Sequence, residues 1–112
     1  MVIGSGRVTS RQMIGGATGG IGMALTEDAV MDHRYGRYVT KDFGDYHVPV
    51  HADVPDIDVY FVNKPDLLAD PVGSKGLGEI AIIGVAPAIA NAVFNATGKR
   101  VRELPITPDK LL

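Results

Sequence analysis

Apolar positions along this chain fall into two stretches of helical period and one of strand character. In residues 12–25, Met13, Ile14, Ala17, Ile21, Ala24 and Leu25 recur at intervals that place them on one helical face. The spacing predicts a helix there, with Thr9 or Ser10 as N-cap after a loop from Gly4. In residues 80–96, Ile80, Ile83, Ala86, Ala90, Val93 and Phe94 share a second helical face. Pro87 predicts a kink, or a helix restarted with Pro at its first position, and Gly98 a C-terminal stop. Residues 57–62, Ile-Asp-Val-Tyr-Phe-Val, are β-branched and aromatic and predict a strand closed by Asn63 and Pro65. Val2-Ile3 reads as a strand stub, residues 34–37 as a turn, and Thr107-Pro108 as the start of a short terminal helix. The expected class is α+β: two main helices packed with a small sheet, in one domain over residues 1–112.

Glycine changes this picture. The 12–25 segment carries Gly15, Gly16, Gly19, Gly20 and Gly22, each costing about 1 kcal/mol against alanine in a helix. A helix of this kind holds only if something approaches its backbone closely; a glycine-rich loop is the alternative. A second cluster, Gly73-Ser74-Lys75-Gly76-Leu77-Gly78-Glu79, runs directly into the second apolar segment. A glycine-rich turn entering a helix can gather backbone N–H groups around an anion. Glu79 stands where loop becomes helix, as a carboxylate facing a ligand or as an acidic residue offsetting the helix dipole. The spacing is neither a Walker A loop nor a dinucleotide fingerprint. Gln12 can offer its amide to a polar ligand or bond its own N-terminal turn.

With 112 residues and 46% hydrophobic content, the chain is one domain at most. A net charge of −2 leaves no basic footprint for nucleic acid. There is no cysteine, so disulfides and thiolate metal sites are excluded from this chain. His47 and His51 flank Pro49 in an extended stretch without helical ligand geometry, so no metal site is expected. No secretory h-region and no uninterrupted apolar run of ~18 residues is visible, so a cytoplasmic protein without membrane contact is expected.

These segments, in order, resemble the molybdenum-cofactor-binding subunit of the xanthine dehydrogenase and aldehyde oxidoreductase family, in its C-terminal part. The likeness includes Gln12-Met-Ile-Gly-Gly, then Gly20-Ile-Gly-Met-Ala-Leu-Thr-Glu27, Asp45-Tyr-His-Val-Pro49 and the stretch from Asp53 to Val62. It is strongest at Gly73-Ser-Lys-Gly-Leu-Gly-Glu-Ile80. It continues through Gly84-Val-Ala-Pro-Ala-Ile-Ala-Asn-Ala92, Ala96-Thr-Gly-Lys-Arg100 and Arg102-Glu-Leu-Pro-Ile-Thr107.

The resemblance implies a piece of a larger molybdopterin-binding domain. It implies that Glu79 is the catalytic base, acting on a water-derived hydroxyl whose oxygen attacks an aldehyde or N-heterocycle carbon. It implies that Gln12, Lys75, Gly76, Leu77 and Gly78 border the cofactor, a molybdenum-bearing molybdopterin in its cytosine dinucleotide form. It implies as partners the remainder of the subunit and iron–sulfur and FAD subunits, with no cofactor held by this chain in isolation. A non-catalytic remnant or interaction module, and a small anion-binding domain, are the rival readings. Faces normally covered by the rest of such an enzyme predict exposed apolar surface and self-association into homo-oligomers.

Overall fold

In a computed structural model, residues 6–62, 64–73 and 75–112 are described. Val2, Ile3, Gly4, Asn63 and Ser74 lie outside them. Three helices and a short hairpin make up the regular structure: α1 (Gly6–Leu25), β1 (Met31–Asp32), β2 (Arg37–Tyr38), α2 (Ile80–Ile83) and α3 (Val85–Thr97). Single 3₁₀ turns form at His51–Asp53 and Pro108–Leu111.

α1 forms despite its glycines because α2 and α3 lie against them. A Cβ added to Gly16 would sit 2.8 Å from the Ala81 Cβ and 3.3 Å from the Ile82 backbone nitrogen. A Cβ on Gly20 would sit 2.5 Å from that of Val85. Close helix packing thus offsets the backbone cost that glycine carries. Gly15 shares none of this: nothing lies within 4 Å of its Cβ position. α1 begins earlier than the periodicity predicts. No proline or other breaker separates Gly6 from Gln12, so the helix extends back through the stretch expected to be loop.

At its other end α1 is closed by the tail. The Ile106 N–H donates to the Ala24 carbonyl at 2.7 Å, satisfying one of the acceptors that a helix C-terminus leaves unpaired. Ala24 and Ile106 are the buried hydrophobic residues among those described. The expected Thr107–Pro108 start is present as a 3₁₀ turn, without a side-chain bond from the threonine.

α2 and α3 are separated at Gly84, three residues before Pro87. Pro87 is therefore the third residue of α3 and not its first. Amides in a first helical turn need no intrahelical acceptor, so proline costs nothing there. Gly98 ends α3 with φ 72°, its N–H donating to the Phe94 carbonyl at 2.8 Å, as a left-handed stop should. By length and composition Ile80–Thr97 is apolar enough to cross a membrane. The stretch is still not an uninterrupted apolar run, because Asn91 and Asn95 break it; its isoleucine, valine, alanine and phenylalanine residues carry the average.

The sheet is the hairpin β1–β2, antiparallel with Met31 opposite Tyr38 and Asp32 opposite Arg37. Gly36, at φ 61°, makes the turn, and Arg34 grips Asp32 through two nitrogens at 3.1 Å. The predicted strand at 57–62 is not formed. Ile57 and Val59 are half-buried while Tyr60 and Val62 are exposed, but no described strand pairs with this segment. Strand propensity reports fit to a pleated surface and needs a neighbouring ladder to become a strand.

The accessible surface is 8726 Å². A compact protein of 11.9 kDa exposes about 5,900 Å². Phe43, Tyr60, Leu68 and Ile83 are among the large apolar side chains in solvent. The chain without partners should therefore self-associate at high concentration. Sedimentation velocity should show mass increasing with concentration, and a strict monomer throughout would contradict this.

Candidate functional site

α1 and the glycine loop bring together two regions remote in sequence. Gln12 sits in the second turn of α1, with its side chain exposed. Its Nε2 donates to the Gly78 carbonyl at 2.7 Å, a contact across 66 residues of chain. The local alternative, a glutamine bonding its own N-terminal turn, is overturned, because the helix starts at Gly6 and the amide points to the loop.

Gly78 precedes Glu79, which is the residue flanking α2, at φ −113° and ψ 12°. The Glu79 side chain is exposed and caps no helix N–H. Among the described residues it has no hydrogen-bond or ion-pair partner. The N–H groups of Gly76, Leu77 and Gly78 likewise donate to no described residue. A Cβ added at Gly76 or Gly78 would meet nothing within 4 Å. Among the described residues the loop thus carries open Cβ positions at Gly76 and Gly78, three amides without an acceptor and one carboxylate without a partner.

Lys75 is engaged differently. Its Nζ lies 3.6 Å from Asp66 Oδ2, so its ammonium ties the loop to the preceding turn. That turn is built on two aspartates. Asp66 Oδ1 accepts from the Leu68 and Ala69 amides at 3.2 Å each. Asp70 Oδ1 accepts from Val72 N–H at 2.8 Å, and the Asp70 carbonyl from Gly73 N–H at 2.8 Å. Gly73 is at φ 68° and packs on Pro65, whose Cβ would be 2.8 Å from any Cβ added there. Glycine meets both demands and no other residue does so without strain. Asp66, Asp70 and Gly73 form the turn that leads into the glycine loop; the sequence singled out Gly73 but not the two aspartates. The signal was Asp before a turn, twice, with glycine three residues after the second.

The Ala69 amide, helped by Leu68 and Lys75, holds the Asp66 carboxyl below the usual carboxylate range. With the folded value depressed, the carboxylate's contribution is present above the ordinary pKa of about 3.9 and lost as pH falls through the folded value. Amide shifts of Leu68 and Ala69 should stay constant from neutrality to about pH 5 and then titrate with a midpoint under 3.9. A midpoint at or above that value would contradict the turn's role.

Beyond the loop, Tyr46 Oη donates to Glu27 Oε2 at 2.6 Å, and this bond raises the phenol's pKa. A Cβ on Gly22 would collide with Glu27 and Pro49, so that pair closes the end of α1. A separate cavity of about 370 Å³ is lined by Ile14, Thr18, Pro49, His51 and Ile57, among others. It shares no lining residue with the set around Glu79. Among the described residues no cluster of His, Asp or Glu is placed to hold a metal ion.

Comparison with known proteins places this arrangement. Residues 6–55 match the family model of a molybdopterin cofactor-binding domain. The chain is 52% identical over 101 residues to the aldehyde oxidoreductase molybdenum-binding subunit PaoC of Escherichia coli, covering 90% of this chain and 14% of the relative. The putative xanthine dehydrogenase molybdenum-binding subunit XdhA of the same organism is 41% identical over 102 residues, covering 89% and 13%. The crystal structure of quinoline 2-oxidoreductase from Pseudomonas putida 86 superposes with a TM-score of 0.82 at 33% identity, covering 94% of this chain and 14% of that one. The chain belongs to the xanthine dehydrogenase family, within its molybdenum-binding subunits. It spans about 14% of the length of the curated relatives it matches. The α1–α2–α3 packing and the small hairpin are therefore a piece of a larger α+β molybdopterin-binding fold.

Proposed function

We propose that residues 1–112 form the C-terminal portion of a molybdenum hydroxylase subunit and that they supply its general base, Glu79. The observation that carries this reading is the Gln12–Gly78 bond at 2.7 Å beside a carboxylate with no described partner. The rival role, offsetting a helix dipole, has little to act on. α2 is four residues long and its own termini account for most of its amides. A carboxylate kept exposed and unpaired at the mouth of a bare glycine loop is suited to accept a proton from a bound reactant.

The loop fits a planar, hydrogen-bonding group such as a pterin. The open Cβ positions of Gly76 and Gly78 allow close approach, and the free amides of Gly76, Leu77 and Gly78 can donate to it. Gln12 keeps its Oε1 available as an acceptor. Lys75 contributes through its backbone while its ammonium holds Asp66. When bound, the molybdenum–pterin group, taken here in its cytosine dinucleotide form, supplies the electron sink for oxidation. This chain's part is to wall one side of that group and to take up the proton at Glu79. The substrate class is an aldehyde or an aromatic N-heterocycle, with the new oxygen derived from water. Partners are the rest of the subunit and iron–sulfur and FAD subunits that carry the electrons away. Glu79→Gln in the assembled enzyme tests the reading: turnover should collapse while molybdenum and pterin content stay at wild-type levels.

A further inference from the structure

Glu79 is poorly held by its own neighbourhood. Two glycines precede it within three residues, and glycine leaves a backbone free to move. The helix after it is four residues long, and its first amide contact, Ile82 N–H to the Glu79 carbonyl, is stretched to 3.3 Å. Among the described residues, the one short bond between this junction and a long element is from Gln12 to the Gly78 carbonyl, at the peptide that enters Glu79.

Gln12, Gly16 and Gly20 stand four residues apart on α1 and so share a face. They meet, in order, Gly78, Ala81 with Ile82, and Val85. The lower two contacts are steric and fix how closely α1 approaches the helices. The upper one is directional and fixes where the loop ends. From this we propose that Gln12 is a positioning residue for Glu79: its amide N–H holds the Gly78 carbonyl so that the carboxylate has one place relative to α1. The inference rests on the reading of Glu79 as the base, and it assigns Gln12 a task separate from contact with the cofactor. A displacement on the order of 1 Å at a catalytic group can cost 10²-fold in rate, so the bond bears directly on turnover.

The test is Gln12→Met in the assembled enzyme. Methionine keeps length and helix propensity but has no N–H to donate. Expected are kcat per bound molybdenum reduced about 10- to 100-fold and KM within about twofold, whatever cofactor is lost with the Gln12 Oε1. Hydrogen exchange in the peptide covering residues 80–84 should quicken severalfold, with α3 unchanged, because the Ile82 amide depends on where the Glu79 carbonyl is held. This second readout does not depend on activity. If exchange and kcat both stay at wild-type values, the inference is overturned whatever Glu79 does. It is also overturned if exchange quickens without loss of kcat, or if kcat falls only in proportion to lost cofactor. Glu79→Gln run in parallel separates the two claims. A Glu79→Gln enzyme that turns over normally sinks the reading of the base, and with it the positioning role. A Glu79→Gln enzyme that is inactive beside a fully active Gln12→Met enzyme sinks only the positioning role.

Discussion

Gly20→Val should unfold the α1–α3 contact, while Gly15→Ala, five residues earlier in the same helix, should strengthen the chain. At Gly20 the new Cβ would lie 2.5 Å from the Val85 Cβ and 2.9 Å from both of its γ-methyls. Valine at 85 is β-branched and rigid about χ1, so it cannot swing aside. The helices must separate, and overpacking of this kind costs about 1–3 kcal/mol or more even before the neighbouring Gly16–Ala81 contact is lost. A chain with so few buried side chains has little stability to absorb that loss. At Gly15 nothing lies within 4 Å of the Cβ position, so alanine brings only its better helix propensity, about 0.5–1 kcal/mol. Urea titration followed by circular dichroism should rank Gly15→Ala above wild type and Gly20→Val below it, with a loss of helical signal in the latter. Equal midpoints for all three would contradict the packing account.

What the sequence made legible follows from where its signals act. Period and glycine placement are local, and they located both main helices, the turn closed by Gly36 and the stop at Gly98. The glycine load on residues 15–22 also announced a close neighbour, because isolated helices cannot carry that cost; Ala81 and Val85 are that neighbour. Glu79 at a loop–helix junction was readable from Gly78 on one side and Ile80 on the other. Three things were not readable. The strand expected at 57–62 depends on a partner, and propensity says nothing about whether a partner is at hand. The Ile106–Ala24 bond joins a tail without periodicity to the end of α1, so no pattern in either segment points to it. The Asp66–Asp70–Gly73 turn works through side chains folded back on nearby amides, which pattern reading registers only as polar loop. Of the two readings offered for Pro87, the helix is indeed interrupted, at Gly84, but Pro87 is the third residue of the restarted helix and not its first, because the first turn tolerates proline beyond its first position.

The largest functional effect expected of any single change is that of Glu79→Gln. The substitution keeps shape and volume but leaves a side chain that cannot take a proton. General-base catalysis contributes about 10²–10⁴ in rate, so kcat/KM should fall by at least that order. The alternative role predicts something far smaller. As a helix-start residue Glu79 would be worth about 0.3–1 kcal/mol of stability and nothing in turnover. No described side chain loses a bond to the new amide, because Glu79 has no described partner to lose. Folding and cofactor loading should therefore be untouched. The deciding measurement is single-turnover reduction of the assembled enzyme by substrate, with molybdenum content determined on the same sample. Reduction slowed at least about 100-fold at full molybdenum occupancy is the predicted result. Reduction at the wild-type rate with full occupancy would contradict the assignment of Glu79 as the base.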